Sequence, residues 1–208
     1  MIGILDYGMG NLGSVRNACA VLDVPATLLS DPDGLDSVDS LLVPGQGAFR
    51  DCMKHLEERG WVEPLRAWIR EDRPFFGICM GLQLLFEGSE ESPGQPGLGI
   101  LPGTVRKFPE RPGLKVPQMG WNRCDWREGQ TFFPPELHHR HFYFVHSYYV
   151  PLVEADWVAG TTGYGLEYVS AVSSGRCHAV QFHPEKSQAD GLTLLRHVTS
   201  TFEGMKAL

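Results

Sequence analysis

Over the first eighty residues of this chain, short apolar runs alternate with segments of helical periodicity, and that rhythm narrows the possible folds more than any other feature. Ile2 to Tyr7 precedes a helical pattern from Asn11 to Leu22, and apolar runs return at Ala26 to Leu29 and Leu41 to Val43. Helical patterns then run through Glu57 and Arg70, and Pro74 to Cys79 is apolar again. Strands joined by helical crossovers run parallel, with helices on the sheet faces. Gly and Pro then crowd the segment from Gly88 to Gly103, which reads as a surface excursion, and the pattern beyond it turns to strands. Leu166 to Val172 and Cys177 to Phe182 flank Ser173-Ser174-Gly175-Arg176, where Gly175 can supply the positive φ of a hairpin. Ser187, three residues before Asp190 and ahead of Leu192, Leu194, Leu195 and Val198, reads as the cap of a C-terminal helix. The expected fold is α/β, a doubly wound, mostly parallel sheet with an antiparallel extension. It forms one domain over residues 1–208, with ligands bound outside the carboxyl ends of the strands.

Composition removes several function classes. A formal charge of -7 disfavours a surface that tracks phosphates, so no nucleic-acid partner is expected. Met1 to Asp6 has no basic leader, and no apolar run approaches the roughly 20 residues that span a bilayer, so no membrane association is expected. The five cysteines are widely spaced, odd in number and without a C-x-x-C pair. That usage fits a reducing, cytoplasmic setting in which at least one thiol is free for chemistry.

One of those thiols has a distinctive context. Phe75-Phe76-Gly77-Ile78-Cys79-Met80-Gly81 carries an apolar strand into a helical pattern through Gly-x-Cys-x-Gly, the nucleophile-elbow arrangement with sulfur in place of oxygen. Two glycines relieve crowding at a strained turn, and amides at the start of the following helix face the sulfur and favour thiolate. A base is offered by Ala179-Val180-Gln181-Phe182-His183-Pro184-Glu185, where another apolar strand ends at His183. His183 can take the thiol proton and return it to the leaving group, while Glu185 fixes its tautomer. Oxyanion donors are expected from the Met80 amide and from the loop Val43-Pro44-Gly45-Gln46-Gly47, with Gly45, Gln46 and Gly47 as the candidates.

A competing pattern is Gly8-Met9-Gly10-Asn11-Leu12-Gly13, a G-x-G-x-x-G between a strand and a helix, with Asp31 and Asp33 after the second strand. On pattern alone this is a dinucleotide fingerprint, although the chain leaves little for a separate substrate domain. His138, His139 and His141 cluster in a polar stretch without metal-ligand spacing, so no metal and no cofactor are assigned. Trp121 suits either a core or a partner surface.

Gly77 to Gln83, taken with Phe182-His183-Pro184-Glu185, resembles the class I glutamine amidotransferase family, and the resemblance covers nearly the whole chain. Leu5 to Leu12, Pro44 to Phe49 and Met119-Gly120-Trp121-Asn122 are similar to the branch of that family that serves imidazole glycerol phosphate synthases. Most of the wider family carries Pro-Gly-Gly where this chain has Pro-Gly-Gln-Gly. The resemblance implies a glutaminase that forms a γ-glutamyl thioester at Cys79. Gln83 and Glu87 would lie near the glutamine, with His146, Ser147 and Tyr148 on the opposite wall. It further implies ammonia transfer to a barrel-shaped cyclase, the heterodimer partner, which makes imidazole glycerol phosphate and aminoimidazole carboxamide ribonucleotide. Gly10, Asn11, Trp121, Asn122 and Lys186 would then lie at the partner interface, Lys186 meeting an acid there. A glutaminase for another acceptor, such as chorismate, and a noncatalytic dinucleotide-binding module are the alternative readings.

Overall fold

The computed structural model describes residues 1–204. Its first half follows the expected alternation: β1 (Ile2–Leu5), α1 (Leu12–Val21), β2 (Ala26–Leu29), β3 (Ser40–Gly45), α2 (Phe49–Glu58), α3 (Val62–Arg70), β4 (Phe75–Cys79) and the single turn α4 (Met80–Gln83). The second half adds β5 (Phe86–Ser89), β6 (Leu101–Lys107), β7 (Gln118–Arg123), β8 (Asp125–Trp126), β9 (His141–His146), β10 (Tyr148–Pro151), β11 (Val158–Gly163), β12 (Glu167–Ser174), β13 (Cys177–Val180) and α5 (Gln188–Gly204).

The main sheet runs β2-β1-β3-β4-β13-β12-β10-β6-β5, with β11 on β12 and β8 on β11, while β7 and β9 form a separate antiparallel ribbon. From β2 to β13 every neighbour is parallel, and β12, β10 and β6 continue the sheet antiparallel. The last strand, β5, returns parallel to β6. The central strands are buried on both faces, the reason they read as nearly continuous apolar runs. Side chains alternate across them. Leu41, Val43 and Phe75 pack with Phe49, Leu56, Leu65 and Trp68 of α2 and α3, whereas Leu42, Phe76 and Ile78 pack with Val15, Leu194 and Val198 of α1 and α5. Phe75 and Phe76 are both fully buried, which contributes roughly 2 kcal/mol each. With the helices divided between the two faces, the C-terminal ends of β1, β3, β4 and β13 converge on one edge.

Three local expectations fail. The helix after Cys79 is one turn only, because the chain re-enters the sheet at β5, so little helix dipole acts on the sulfur. The Gly/Pro-rich excursion begins inside β5 and ends inside β6. Ser187 does not cap α5: its hydroxyl donates to the His183 carbonyl at 2.6 Å and accepts the Tyr143 amide at 2.9 Å. The β12–β13 hairpin is as expected, with Gly175 at φ 56°.

Candidate active site

Cys79 ends β4 at φ 55°, ψ -102°, a left-handed conformation that costs a β-substituted residue about 1–3 kcal/mol. The flanking glycines make the turn possible. A methyl group on Gly77 would lie 2.5 Å from the Gly81 carbonyl oxygen, and one on Gly81 would run into the Val43 carbonyl oxygen. The α4 turn is thereby pressed onto β3 and β4, and the sulfur sits at the sheet edge.

His183 follows β13, the parallel neighbour of β4, and its amide donates to the Tyr143 carbonyl at 2.9 Å. Its Nδ1 meets Glu185 Oε1 at 2.8 Å, and both side chains are only 2% exposed. The carboxylate therefore fixes the Nδ1–H tautomer and leaves Nε2 for the thiol. Nε2 makes no full hydrogen bond and faces Cys79. Burial by itself would lower the His183 pKa, but the Cys79 sulfur and then Glu185 outweigh it and hold the imidazole up at about 10. Gln181, two residues before His183 and on the same side of the chain, donates from Nε2 to Cys79 Sγ at 3.6 Å.

Cys79 and His183 open onto a cavity of about 490 Å³ that is also lined by Gln46, Gly47, Met80, Gln83, Glu91 and Lys186 and by His146, Ser147 and Tyr148. Gln83 is buried. Its Nε2 donates to the Tyr148 carbonyl at 3.1 Å and to Gln181 Oε1 at 3.0 Å, which leaves Oε1 as an unpartnered acceptor. Glu91 accepts the Phe49 amide at 2.7 Å, so a carboxylate of the cavity wall also caps α2. His146 bonds the Tyr148 carbonyl at 2.7 Å and the Tyr168 hydroxyl at 3.2 Å, and burial pulls its pKa down to about 4. A small polar molecule with both cationic and amide groups fits this lining.

Glu87 is not brought to the cavity. It is exposed on β5 and accepts the Gly103 amide at 2.8 Å, since strand alternation turns it away. Glu91, which the sequence reading passed over, stands in the wall instead, and Gln181, also passed over, bonds Cys79 from behind it. Gln181 was signalled by its period-two spacing from His183, whereas nothing around Glu91 in the Gly/Pro-rich stretch marks it.

The surface candidates divide. Trp121 is 45% exposed and its β7 neighbour Met119 64%, while Asn122 donates to the Gly163 carbonyl at 3.2 Å. Asn11 caps α1 by accepting the Ser14 amide at 3.2 Å. Gly10, at φ 108°, rests against Gly45: a methyl group on it would lie 3.4 Å from the Gly45 Cα. The first glycine loop thus shoulders the Pro44–Gly47 loop. In a dinucleotide fingerprint the third glycine serves close helix–strand packing, yet a methyl group on Gly13 would meet nothing nearer than 3.8 Å, and Asp31 accepts the Asp33 amide in its own turn. Each histidine of the polar cluster has a local role or faces solvent. His138 accepts the Trp126 amide at 2.9 Å, His139 pairs with Asp125 at 2.5 Å, and His141 is exposed.

The profile of the glutamine amidotransferase class-I family matches residues 4–198. The chain is 46% identical over 203 residues to the imidazole glycerol phosphate synthase subunit HisH of Desulfitobacterium hafniense (strain DSM 10664 / DCB-2), covering 95% of this chain and 92% of that protein. It is 43% identical over 198 residues to imidazole glycerol phosphate synthase hisHF, chloroplastic, of Arabidopsis thaliana, covering 94% of this chain and 33% of that protein. Among solved structures it resembles a crystal structure of glutamine amidotransferase, with TM-score 0.72 at 21% identity over 100% of this chain and 99% of the other. The structure of PurLQS from Thermotoga maritima superposes with TM-score 0.73 at 15% identity, over 96% and 97% of the two chains.

Proposed function

We propose a residue-level mechanism for this chain from the premise that it belongs to the class I glutamine amidotransferase family. The chain is the glutaminase subunit of an imidazole glycerol phosphate synthase and serves histidine biosynthesis. In the proposed mechanism residues 1–208 act as a single amidotransferase domain. Cys79 attacks the side-chain amide of glutamine, His183 takes the thiol proton and passes it to the departing ammonia, and water then hydrolyses the γ-glutamyl thioester with His183 as base. Glu185 orients the imidazole throughout. Amides of Met80 and of the Gly45–Gly47 loop receive the oxyanion, each contributing about 3 kcal/mol to the transition state. Glu91 takes the substrate's ammonium group and Gln83 Oε1 an N–H of the substrate.

The observation that carries this reading is a cysteine held at positive φ in a cavity, beside a buried histidine whose other nitrogen is fixed by a carboxylate. Ammonia passes to a barrel-shaped cyclase in a cytoplasmic heterodimer, where imidazole glycerol phosphate and aminoimidazole carboxamide ribonucleotide form. Lys186 at the cavity rim, with Trp121, Asn122, Gly10 and Asn11 on the surface, contacts that subunit. Among the described residues no helix is long and apolar enough to cross a membrane.

The test is glutamine hydrolysis by the purified chain with and without the cyclase subunit and its nucleotide substrate. Ammonia release that depends on Cys79 and rises with the cyclase is expected. No hydrolysis under any of these conditions, or hydrolysis unaffected by Cys79→Ala, would overturn the reading.

A further inference from the structure

Behind the Pro44–Gly47 loop, on the side away from the cavity, lie two buried polar groups that the proposed mechanism does not use. Cys52, in the first turns of α2, is fully buried, and its thiol donates to the Gln46 carbonyl at 3.6 Å. Because a trans peptide sets C=O and N–H on opposite sides, this contact aims the Gly47 amide away from Cys52. Tyr7, just beyond β1, is also fully buried, and its hydroxyl abuts Gly45: a methyl group there would lie 2.5 Å from the phenolic oxygen. The Tyr7 hydroxyl makes no full hydrogen bond and rests beside the Cys52 sulfur. Burial raises both groups, Cys52 to about 11, so at neutral pH each keeps its proton.

We propose that Cys52 and Tyr7 are a positioning pair for the oxyanion loop, holding the Gln46–Gly47 peptide in a fixed orientation and thereby setting the rate of glutamine hydrolysis. The inference rests on the glutaminase reading above. Three features of the structure support it. The loop is glycine-rich and Gly47 sits at φ 109°, so its peptides have orientations open to them that other residues lack. Both side chains abut the loop and neither lines the cavity, so their removal leaves the glutamine contacts in place. Met80, whose amide is the other oxyanion candidate, packs against the same Gly45, a methyl group there lying 2.7 Å from Met80 Cβ. The two donor sources are therefore held to one another through a side-chain-free position, with Tyr7 pressing from behind. A hydroxyl in place of the thiol keeps a donor at this position, and a methyl group removes it.

The experiment measures kcat and KM for glutamine in the complex with the cyclase subunit, for wild type, Cys52→Ala, Cys52→Ser and Tyr7→Phe. Thermal melting and the rate of Cys79 alkylation by iodoacetamide, which needs no oxyanion donor, are measured in parallel. Loss of the Cys52 hydrogen bond predicts a fall in kcat of about five- to tenfold in Cys52→Ala, and loss of the hydroxyl that abuts Gly45 a fall of a few-fold in Tyr7→Phe. KM and Cys79 alkylation should stay within about twofold of wild type, and Cys52→Ser should recover most of the rate. Wild-type kcat in both Cys52→Ala and Tyr7→Phe, or equal loss in Cys52→Ala and Cys52→Ser, would overturn the positioning role. Absence of hydrolysis in the wild-type complex would instead overturn the glutaminase reading, and the inference with it.

Discussion

Gly45 lies directly opposite Cys79 in the parallel ladder between β3 and β4. The loop that leaves β3 therefore starts level with Cys79, and the sulfur and the candidate oxyanion amides are brought together by strand register, although 33 residues separate Gly45 from Cys79 along the chain. Register is strongly specified where a sheet is buried on both faces.

The elbow should tolerate no side chain at Gly81. Its added methyl group would meet the Val43 carbonyl, a backbone atom that cannot turn aside. Gly81→Ala should cost about 3 kcal/mol in urea denaturation, against about 1 kcal/mol for Gly94→Ala, where φ is 84° but no atom lies within 4 Å. Equal stability of the two variants would contradict the close packing of the elbow.

Covalent labelling should be confined to one thiol. Burial raises Cys19 and Cys52 to about 11, and Cys124 and Cys177 to about 12, whereas Cys79 opens onto the cavity and faces an imidazole. An electrophilic glutamine analogue followed by peptide mass mapping should find Cys79 modified and the other four intact at neutral pH. Predominant label on any of the four would remove Cys79 as nucleophile.

The base and its orienter should separate in kinetics. His183→Ala should lower kcat about a thousandfold, and Glu185→Gln roughly ten- to a hundredfold, because the carboxylate fixes the tautomer without exchanging the proton. The Cys79 sulfur is the main group holding His183 up at about 10. Its removal in Cys79→Ala should therefore bring that pKa down, as read by NMR titration of the imidazole. An unchanged value would mean that the sulfur does not face Nε2.

Acid should weaken the fold in a defined window. A histidine in the unfolded chain titrates near 6.5, whereas burial lowers His146 to about 4 and His178 to about 3 in the folded chain. As pH falls below about 6.5, the unfolded chain binds protons that the folded one refuses, so stability falls steadily to about pH 4, where folded His146 begins to protonate. His178 stacks on Phe132 with ring centroids 3.3 Å apart and its Nε2 is buried without a partner. His178→Gln should therefore flatten part of this acid limb in urea midpoints taken between pH 7 and pH 4. An acid limb equally steep in that variant would place the titrating groups elsewhere.

Some patterns in the sequence are real but serve another purpose. Gly8 and Gly10 do form a tight turn after a strand, yet what approaches Gly10 is the Gly45 backbone and not a ligand. Ser187 and Asp190 do precede a helix, yet the Ser187 hydroxyl is drawn back to His183 and Tyr143, because α5 is packed against the turn that carries the base. Glu87 is placed near the glutamine by the resemblance alone, and the chain re-enters the sheet after one helical turn, so β5 carries it away from the cavity.

The sequence by itself determined the doubly wound order of the first half and marked Cys79 and His183 as the candidate nucleophile and base. Each of these is written in local periodicity: apolar runs of strand length, glycines on either side of Cys79, a histidine at the end of an apolar run with a carboxylate two residues on. Only the tertiary structure decided that Glu91 stands in the cavity wall, that Glu87 does not, that Gln181 bonds Cys79, and that Tyr7 and Cys52 lie behind the Pro44–Gly47 loop. Those positions depend on which strand ends neighbour one another in the sheet and on where the chain crosses from one face to the other. Contacts of that kind join residues tens of positions apart, and no window of sequence contains both partners.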